Sequence, residues 1–375
     1  MSAIARTDRS IIGRWWWTVD RWTLGALALL VLIGAMLILA ASPSVAERIN
    51  LDGYHFVRRQ FMILPVALMV MFGVSLLSPV QIRRLAVVGF LGSLILLAAV
   101  PLFGSEVKGA TRWISLGGLS VQPSEFAKPF FAVVSAWMFA EWRKDAEFPG
   151  HLVAIGLYLL LMLMLLAQPD LGMTVVVSVI WFGQFFLAGL PMILVVSLIG
   201  LGIGGLIGAY FLFPHVSSRI DRFLDPASGD SFQVDRSLEA FMNGGLFGTG
   251  PGEGTVKANL PDAHADFIFS VAGEEFGGIA CLVIIALYAF VVLRGYALLM
   301  SRNSLFVVLA ATGLLTQFAL QALIHMASAV SLMPAKGMTL PFVSYGGSSL
   351  LALGIGMGMA LALTRRHAGA EEDLP

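Results

Sequence analysis

The chain has 375 residues, of which 58% are hydrophobic and only 12% are charged. This composition gives more apolar surface than a soluble protein of this length can bury, so we expect a lipid bilayer as its solvent. The 23 basic and 23 acidic residues balance, which excludes the strong net field of a nucleic-acid-binding protein or of a polybasic protein at a lipid surface.

The N-terminal segment, residues 1–23, carries several arginines and the run Trp15-Trp16-Trp17 before the first apolar stretch, residues 24–41. A signal peptide has an apolar core of roughly 7 to 15 residues. This stretch is longer and is followed by others of similar length, so we predict a membrane span. The aromatic and cationic residues before it are typical of an anchor at a cytoplasmic interface.

A transmembrane helix needs about 20 mostly apolar residues. The candidate spans in chain order are residues 24–41, 61–77, 85–103, 124–141, 152–168, 171–188, 191–213, 266–293, 305–325 and 345–364. The predicted fold is therefore an all-α polytopic membrane protein with about ten transmembrane helices in a membrane domain over residues 24–364. A large outer loop, residues 214–265, lies between spans seven and eight, and residues 365–375 form a cytoplasmic tail.

The basic residues indicate how these spans are oriented. With the N-terminus inside, the short cytoplasmic loops and termini receive Arg6, Arg9, Arg14, Arg21, Arg83, Arg84, Arg143, Lys144, Arg294, Arg302, Arg365 and Arg366. The outer side receives fewer basic residues in short loops, so both termini are predicted to be cytoplasmic. The polar segments 104–123, 168–170, 214–265 and 326–344 then share the outer face, where the long loop is the expected seat of function.

The end of the long loop carries Asp262, His264 and Asp266, and Glu274 and Glu275 follow in the next predicted helix. Charges at membrane depth are costly and often functional. The structural alternatives are an N-cap for Asp262, a first-turn acid for Asp266, and ion pairs with other helices for the two glutamates. An extended chain would align the first three as metal ligands, but a helical turn would point them apart, and we predict no protein-built metal site.

Two other outer segments carry cations. Glu125 and Lys128 lie three residues apart at the start of span four, as a functional or a structural ion pair. Arg112 precedes them and is a candidate for binding a phosphate or a lipid headgroup. The stretch 334–349 contains Lys336 and is too polar for a span and too rich in Gly and Pro for a regular helix. Such backbone at membrane depth lines a cavity or is buried in protein, where Lys336 would meet an anionic ligand; the alternative is a lysine that snorkels to the interface.

Two glycine patterns are interpreted as structural. Residues 248–257 do not match a phosphate-binding loop, because two residues separate Lys257 from the last glycine, and we predict a flexible outer loop. Small residues inside two spans are predicted to let neighbouring helices approach closely. They are Gly200, Gly202, Gly204, Gly205, Gly354, Gly356 and Gly358.

Several of these motifs resemble the SEDS family of bacterial cell-wall synthesis, which includes FtsW, RodA and SpoVE. The matching stretches are Lys108-Gly-Ala-Thr-Arg-Trp-Ile, Gln122-Pro-Ser-Glu-Phe-Ala-Lys128, and residues 168–172, 222–226, 260–267, 273–277 and 336–349. The last is highly specific, and together they span nearly the whole chain. Ten spans with a large outer loop between spans seven and eight is also the family architecture. Residues 232–238 and 250–254 most resemble the cell-division members of alphaproteobacteria.

The resemblance implies a glycosyltransferase that polymerises lipid II, the undecaprenyl-diphosphate-linked disaccharide pentapeptide, at the outer face of the inner membrane, at the division septum. By position, Asp266 resembles the essential acid and is expected to be the general base. The expected substrate-binding residues, around the diphosphate and sugar, are Lys336, Arg112, Lys128, Glu125 (which orients Lys128), His264, Ser344 and Ser348. Structural roles are expected for Glu274, Glu275 and Asp170.

The resemblance assigns no cofactor, and a divalent cation, Mg²⁺ or Mn²⁺, that assists the diphosphate stays an open alternative. The expected protein partners are a class B penicillin-binding protein of the FtsI type and division regulators of the FtsQ, FtsL, FtsB and FtsN types. Most relatives have Thr at Ala265 and Ala335 and Asn at His325. Two other functions stay open: a flippase for lipid II, or a scaffold that only recruits a transpeptidase. The scaffold predicts that Asp266 is dispensable.

Overall fold

The computed structural model describes residues 10–107, 110–116, 119–145, 147–212, 216–218, 220–221, 232–334 and 337–366. These residues form a mostly helical protein. The helices are α1 (Ile11–Thr18), α2 (Arg21–Arg48), α3 (His55–Ser75), α4 (Pro79–Phe103), α5 (Pro123–Lys144), α6 (Gly150–Ala167), α7 (Leu171–Leu187), α8 (Met192–Leu212), α9 (Phe232–Gly244), α10 (Ile268–Leu299), α11 (Leu305–Ala329) and α12 (Gly347–Thr364).

The long helices fall on the predicted spans. Within the described ranges, eight of them are long and apolar enough to cross a membrane, namely α2, α3, α4, α6, α8, α10, α11 and α12. The other two predicted spans coincide with α7, which has 17 residues, and with α5, which contains the charges of Glu125 and Lys128. The structure therefore shows a multi-pass helical membrane protein, while the count of ten spans stays a prediction.

The all-α prediction omitted a small antiparallel sheet on the segment between α4 and α5. Its strands are β1 (Gly104–Val107), β2 (Ala110–Leu116) and β3 (Leu119–Val121), in the order β1-β2-β3. The aromatic and β-branched residues of β2, such as Trp113 and Ile114, favour a strand. Leu116 pairs with Leu119 across Gly117-Gly118 in the sequence, a typical hairpin dipeptide. Each strand has seven or fewer residues, so a search for apolar runs of about 20 residues does not detect it.

Glycines behave differently in α12 and α8. A Cβ on Gly354 would lie 2.7 Å from the Ala67 carbonyl oxygen, and one on Gly358 would lie 2.7 Å from the Met71 carbonyl oxygen. The predicted close approach is therefore confirmed for α12, which packs against α3 in this way. It is wrong for α8, because a Cβ on the predicted packing glycines there would meet no described residue within 4 Å: Gly200, Gly202, Gly204 and Gly205.

Helix α10 is broken at Gly277, whose φ of 80° and ψ of 178° are not helical. The chain after α9 fills the break. The amide of Gly278 donates to the Gly245 carbonyl at 2.9 Å, and the amide of Thr249 donates to the Glu274 carbonyl at 2.9 Å. The backbone groups freed by the break are thus paired, as they must be near a membrane. The prediction of a flexible loop at residues 248–257 is wrong at the N-terminal end of that loop, because hydrogen bonds to α10 hold it in place.

Candidate functional site

The long loop ends in a tight turn, residues 261–267, and not in a helix. The Asp262 carbonyl accepts hydrogen bonds from the amides of Ala265 and Asp266, both at 2.9 Å, and Asp262 itself has a φ of 51°. Helix α10 begins at Ile268 with Phe267 at its N-cap. Asp262 is therefore not the helix cap. Asp266 is half-buried and lies two residues before the first residue of the helix.

A second irregular stretch, the 337–346 segment, packs directly against this turn. The Ser344 hydroxyl donates to the Ala265 carbonyl at 2.7 Å and accepts from the Leu340 amide at 2.8 Å. The Tyr345 amide donates to the His264 carbonyl at 2.9 Å. Ser344 is buried, so these bonds join the turn and the segment into one unit. The prediction that irregular backbone in residues 334–349 is buried in protein is confirmed for this part.

Asp266 faces the beginning of the segment. A Cβ built on Gly337 would lie 3.1 Å from a carboxylate oxygen of Asp266, and Gly337 has a φ of 65°. Both the contact and the left-handed backbone favour glycine at this position. Lys336 and Ala335, the next residues toward α11, lie outside the described residues, as does Lys108. The structure thus places the Asp266 carboxylate next to Gly337, and Lys336 directly precedes Gly337 in the sequence.

An aromatic cluster covers the other side of the turn. The His264 ring lies 4.2 Å from the Phe56 ring and 5.1 Å from the Tyr345 ring, between centroids. Burial raises the pKa of the Tyr345 phenol, and the charge of the nearby Arg59 guanidinium, together with its hydrogen bond to the phenol, partly offsets this rise. Arg59 is therefore a cation beside the turn that sequence reasoning missed. Its signal was a basic pair, Arg58-Arg59, on the side of the membrane where basic residues are scarce.

Lys128 is buried in the membrane domain instead of facing the turn. Only 1% of its surface is exposed, and its Nζ lies 2.9 Å from Glu125 Oε2 and 3.2 Å from Gln321 Oε1. The Gln321 amide nitrogen in turn faces the Thr339 hydroxyl at 3.1 Å. The predicted pair of Glu125 and Lys128 is present, and it reaches the 337–346 segment through Gln321.

Arg112 binds a neighbouring turn. Its Nε donates to the Gln168 carbonyl at 3.0 Å, and its terminal nitrogen donates to the Pro169 carbonyl. Asp170 is buried and accepts from the Met173 amide at 3.4 Å as the N-cap of α7. The guanidinium of Arg112 is therefore engaged by the carbonyls that follow α6.

Ser348 holds the sheet against the first turn of α12. Its hydroxyl accepts from the Gln122 amide at 3.1 Å and donates to the Ser120 carbonyl at 3.0 Å. The structure thus places Ser344 at the turn of Asp266, and Ser348 at the junction of β3 with α5.

Glu274 and Glu275 organise the chain between α9 and the turn. Glu274 accepts from the amides of Val256 at 2.7 Å and Lys257 at 2.8 Å, and from the Asn243 side chain at 2.9 Å. Glu275 pairs with the Lys257 ammonium. Both glutamates are fully buried, so the loop is held from within by charge-assisted hydrogen bonds.

The polar residues of the turn do not form a metal centre. Among the described residues, no group of three or more His, Cys, Asp or Glu side chains could hold a metal ion. Asp262, His264 and Asp266 alternate along a turn and do not converge.

Comparison with known proteins shows extensive similarity. The family model FTSW_RODA_SPOVE, described as a cell cycle protein, matches residues 21–368. A protein of Caulobacter vibrioides named "Probable peptidoglycan glycosyltransferase FtsW" is 47% identical over 98% of this chain and 95% of its own length. A protein of the same name from Escherichia coli O6:H1 is 35% identical over 86% of this chain and 80% of its own length.

Solved structures share the fold. A chain from work titled "Structural coordination of polymerization and crosslinking by a peptidoglycan synthase complex" superposes with a TM-score of 0.77 at 29% identity, covering 92% of this chain and 97% of that one. The rod shape determining protein RodA of Thermus thermophilus superposes with a TM-score of 0.66 at 28% identity, covering 93% of this chain and 97% of its own.

Proposed function

This chain belongs to the FtsW, RodA and SpoVE family of cell cycle proteins, and we propose that it is a peptidoglycan glycosyltransferase that polymerises lipid II with Asp266 as general base. The family match over residues 21–368 and the 47% identity to a peptidoglycan glycosyltransferase of Caulobacter support the activity. The resemblance to the SEDS family is confirmed. The observation that carries the site is the contact between the Asp266 carboxylate and the 337–346 segment.

The chemistry requires a base near a hydroxyl and cations near a diphosphate. Asp266 takes the proton of the acceptor sugar hydroxyl, and the resulting oxygen nucleophile attacks the anomeric carbon of the donor. The bond from that carbon to the diphosphate oxygen breaks, and the diphosphate leaves with the electron pair. Asp266 suits the role because it is half-buried and lies in a turn outside the helix, which leaves its carboxylate accessible to a substrate at the outer face.

The departing diphosphate needs positive charge. The cations that we propose for this role are Lys336, three residues before Thr339 in the sequence, and Arg59, which interacts with Tyr345 beside the turn. Nε and one terminal nitrogen of Arg112 donate to backbone carbonyls, and Lys128 is buried between Glu125 and Gln321. We therefore assign these two to holding the site in shape. His264 and Ser344 keep the turn in place around the sugar, and a divalent cation on the diphosphate would add charge without changing these assignments.

The location follows from the fold and the relatives. The protein is a multi-pass bacterial membrane protein, and we propose the inner membrane, both termini in the cytoplasm and the active face in the periplasm. A related chain occurs in a peptidoglycan synthase complex, which supports a class B penicillin-binding protein of the FtsI type as partner. The 47% identity to a protein named FtsW supports a role at the division septum with its regulators, of the FtsQ, FtsL, FtsB and FtsN types.

The test is polymerisation of labelled lipid II by the purified full-length chain, alone and with its penicillin-binding partner. Asp266→Asn should lower the rate at least about 100-fold, since a general base contributes on that scale. Asp262→Asn is the matched control, because it makes the same substitution in the same turn and Asn tolerates a positive φ as well as Asp does. This control should retain most of the activity.

The outcomes separate the three functions. Equal rates for the wild type and Asp266→Asn would refute the assignment of the base. A wild type that makes no glycan, with or without the partner, would refute the polymerase. Transport of lipid II across vesicles by that inactive chain would then favour the flippase, and recruitment of the transpeptidase by both the wild type and Asp266→Asn would favour the scaffold.

A further inference from the structure

Two side chains of α11, one turn apart, hold consecutive residues of the 337–346 segment. Nδ1 of His325 lies 2.6 Å from the Met338 carbonyl oxygen. The amide nitrogen of Gln321 lies 3.3 Å from the Thr339 carbonyl oxygen and 3.1 Å from the Thr339 hydroxyl. Residues four apart share a helix face, so one face of α11 grips the backbone immediately after Gly337.

The orientation of the Gln321 amide is set by Lys128 on α5. Its oxygen accepts from the Lys128 ammonium at 3.2 Å, and Lys128 is paired with Glu125 at 2.9 Å. A lysine ammonium can only donate, so it fixes the amide with its oxygen toward Lys128 and its nitrogen toward the segment. The same nitrogen faces the Ser349 hydroxyl at 3.2 Å, which adds the first turn of α12 to the network.

The side chains that hold the segment are buried. Gln321 and Lys128 are each 1% exposed and His325 is fully buried. A hydrogen bond lost at such a position leaves an unpaired polar group away from water, which costs more than the same loss at the surface. The segment is therefore held in one position where it passes Asp266.

We propose that Gln321 and His325 are positioning residues that fix Met338 and Thr339 and so set Gly337 against the Asp266 carboxylate. The ion pair of Glu125 and Lys128 acts through Gln321 and does not touch the diphosphate. For the effect on turnover this inference rests on the proposed function, while the effect on the segment itself does not.

The experiment compares Gln321→Leu with Gln317→Leu in the full-length protein. Gln317 lies one turn earlier on the same helix and is equally buried, and its Oε1 meets no hydrogen-bond donor among the described residues. Both substitutions thus remove a buried side-chain amide from α11, and only Gln321→Leu removes the hydrogen bonds to the 337–346 segment. Hydrogen exchange of residues 337–346 in nanodiscs should become about tenfold faster in Gln321→Leu and stay unchanged in Gln317→Leu.

Lipid II polymerisation provides the second measurement. Gln321→Leu should lower the turnover number about 100-fold, the scale of a misplacement of roughly 1 Å. The lipid II concentration at half-maximal rate should change less than about threefold, because the residue does not touch the substrate. Gln317→Leu should keep both values.

Each outcome bears on one proposal. Equal exchange of residues 337–346 in the two variants would overturn the positioning role, whatever the activity. A wild-type chain without polymerase activity would refute the proposed function and leave the exchange comparison valid. If Gln321→Leu fails to accumulate in the membrane, Thr339→Val provides a second variant, because it removes the hydroxyl of the 337–346 segment that accepts from Gln321. Faster exchange in that variant supports the inference, and wild-type exchange overturns it.

Discussion

The contact between Gly337 and Asp266 makes Gly337→Ala a sensitive probe of the site. A Cβ at this position would lie 3.1 Å from the carboxylate oxygen, where ordinary van der Waals contact begins at 3.4 Å, so the carboxylate must move by a few tenths of an ångström. The φ of 65° adds a backbone cost of about 1 to 2 kcal/mol for any L side chain. We expect roughly tenfold slower lipid II polymerisation, because shifts of about 1 Å cost on the order of 100-fold.

The matched control is Gly252→Ala. Gly252 also has a positive φ, of 84°, but a Cβ there would meet none of the described residues within 4 Å. It therefore carries the same backbone cost without moving Asp266. Both variants should melt a few degrees below the wild type in thermal unfolding of the purified protein, and only Gly337→Ala should lose turnover. Equal turnover in the two variants would refute the argument that the segment positions the base.

Two further predictions concern charged residues at the N-terminal ends of α3 and α2. Arg59→Ala should slow polymerisation about 100-fold, whereas Arg58→Ala, its exposed neighbour on α3, should keep the wild-type rate; equal losses would mean that Arg59 only contributes general charge. Burial alone would raise the pKa of Asp20, but its hydrogen bonds to Arg294 and Thr23 lower the pKa below the ordinary 3.8. Ionised Asp20 thus stabilises the fold above about pH 4 and loses this effect as the pH falls through the folded-state pKa. Asp20→Asn should therefore melt below the wild type at pH 7, with the gap closing toward pH 3; a gap independent of pH would contradict this.

The distribution of cations shows how burial changes a functional assignment. Lys128 and Arg112 have the charge that a diphosphate requires, and both lie in motifs shared with the family. In the fold, Lys128 is enclosed by Glu125 and Gln321, and Arg112 donates to two backbone carbonyls. A buried cation that is already paired, such as Lys128, gains little from a new anion. We therefore propose that these two residues keep the parts of the site in place.

The sequence by itself determined the class of protein and the approximate spans, and it selected the residues of the proposed site. Apolar runs of about 20 residues have few stable structures other than membrane helices, which is why the long helices fall on the predicted ranges. Asp266 and the stretch around Ser344 could also be selected from the sequence, because polar residues and irregular backbone at membrane depth are costly without a reason.

Only the tertiary structure decided which of the chosen residues meet. Gln321 and His325 are polar residues inside an apolar span, and the role that we propose for them depends on their hydrogen bonds to the 337–346 segment and on Lys128, which lies 193 residues before Gln321 in the chain. Arg59 became a candidate through its interaction with Tyr345. The packing role predicted for the glycines of α8 is wrong because no described residue lies within 4 Å of a Cβ built on them. Hydrogen-bond partners and close packing are properties of pairs that are distant in sequence, so they follow from the fold and not from local pattern.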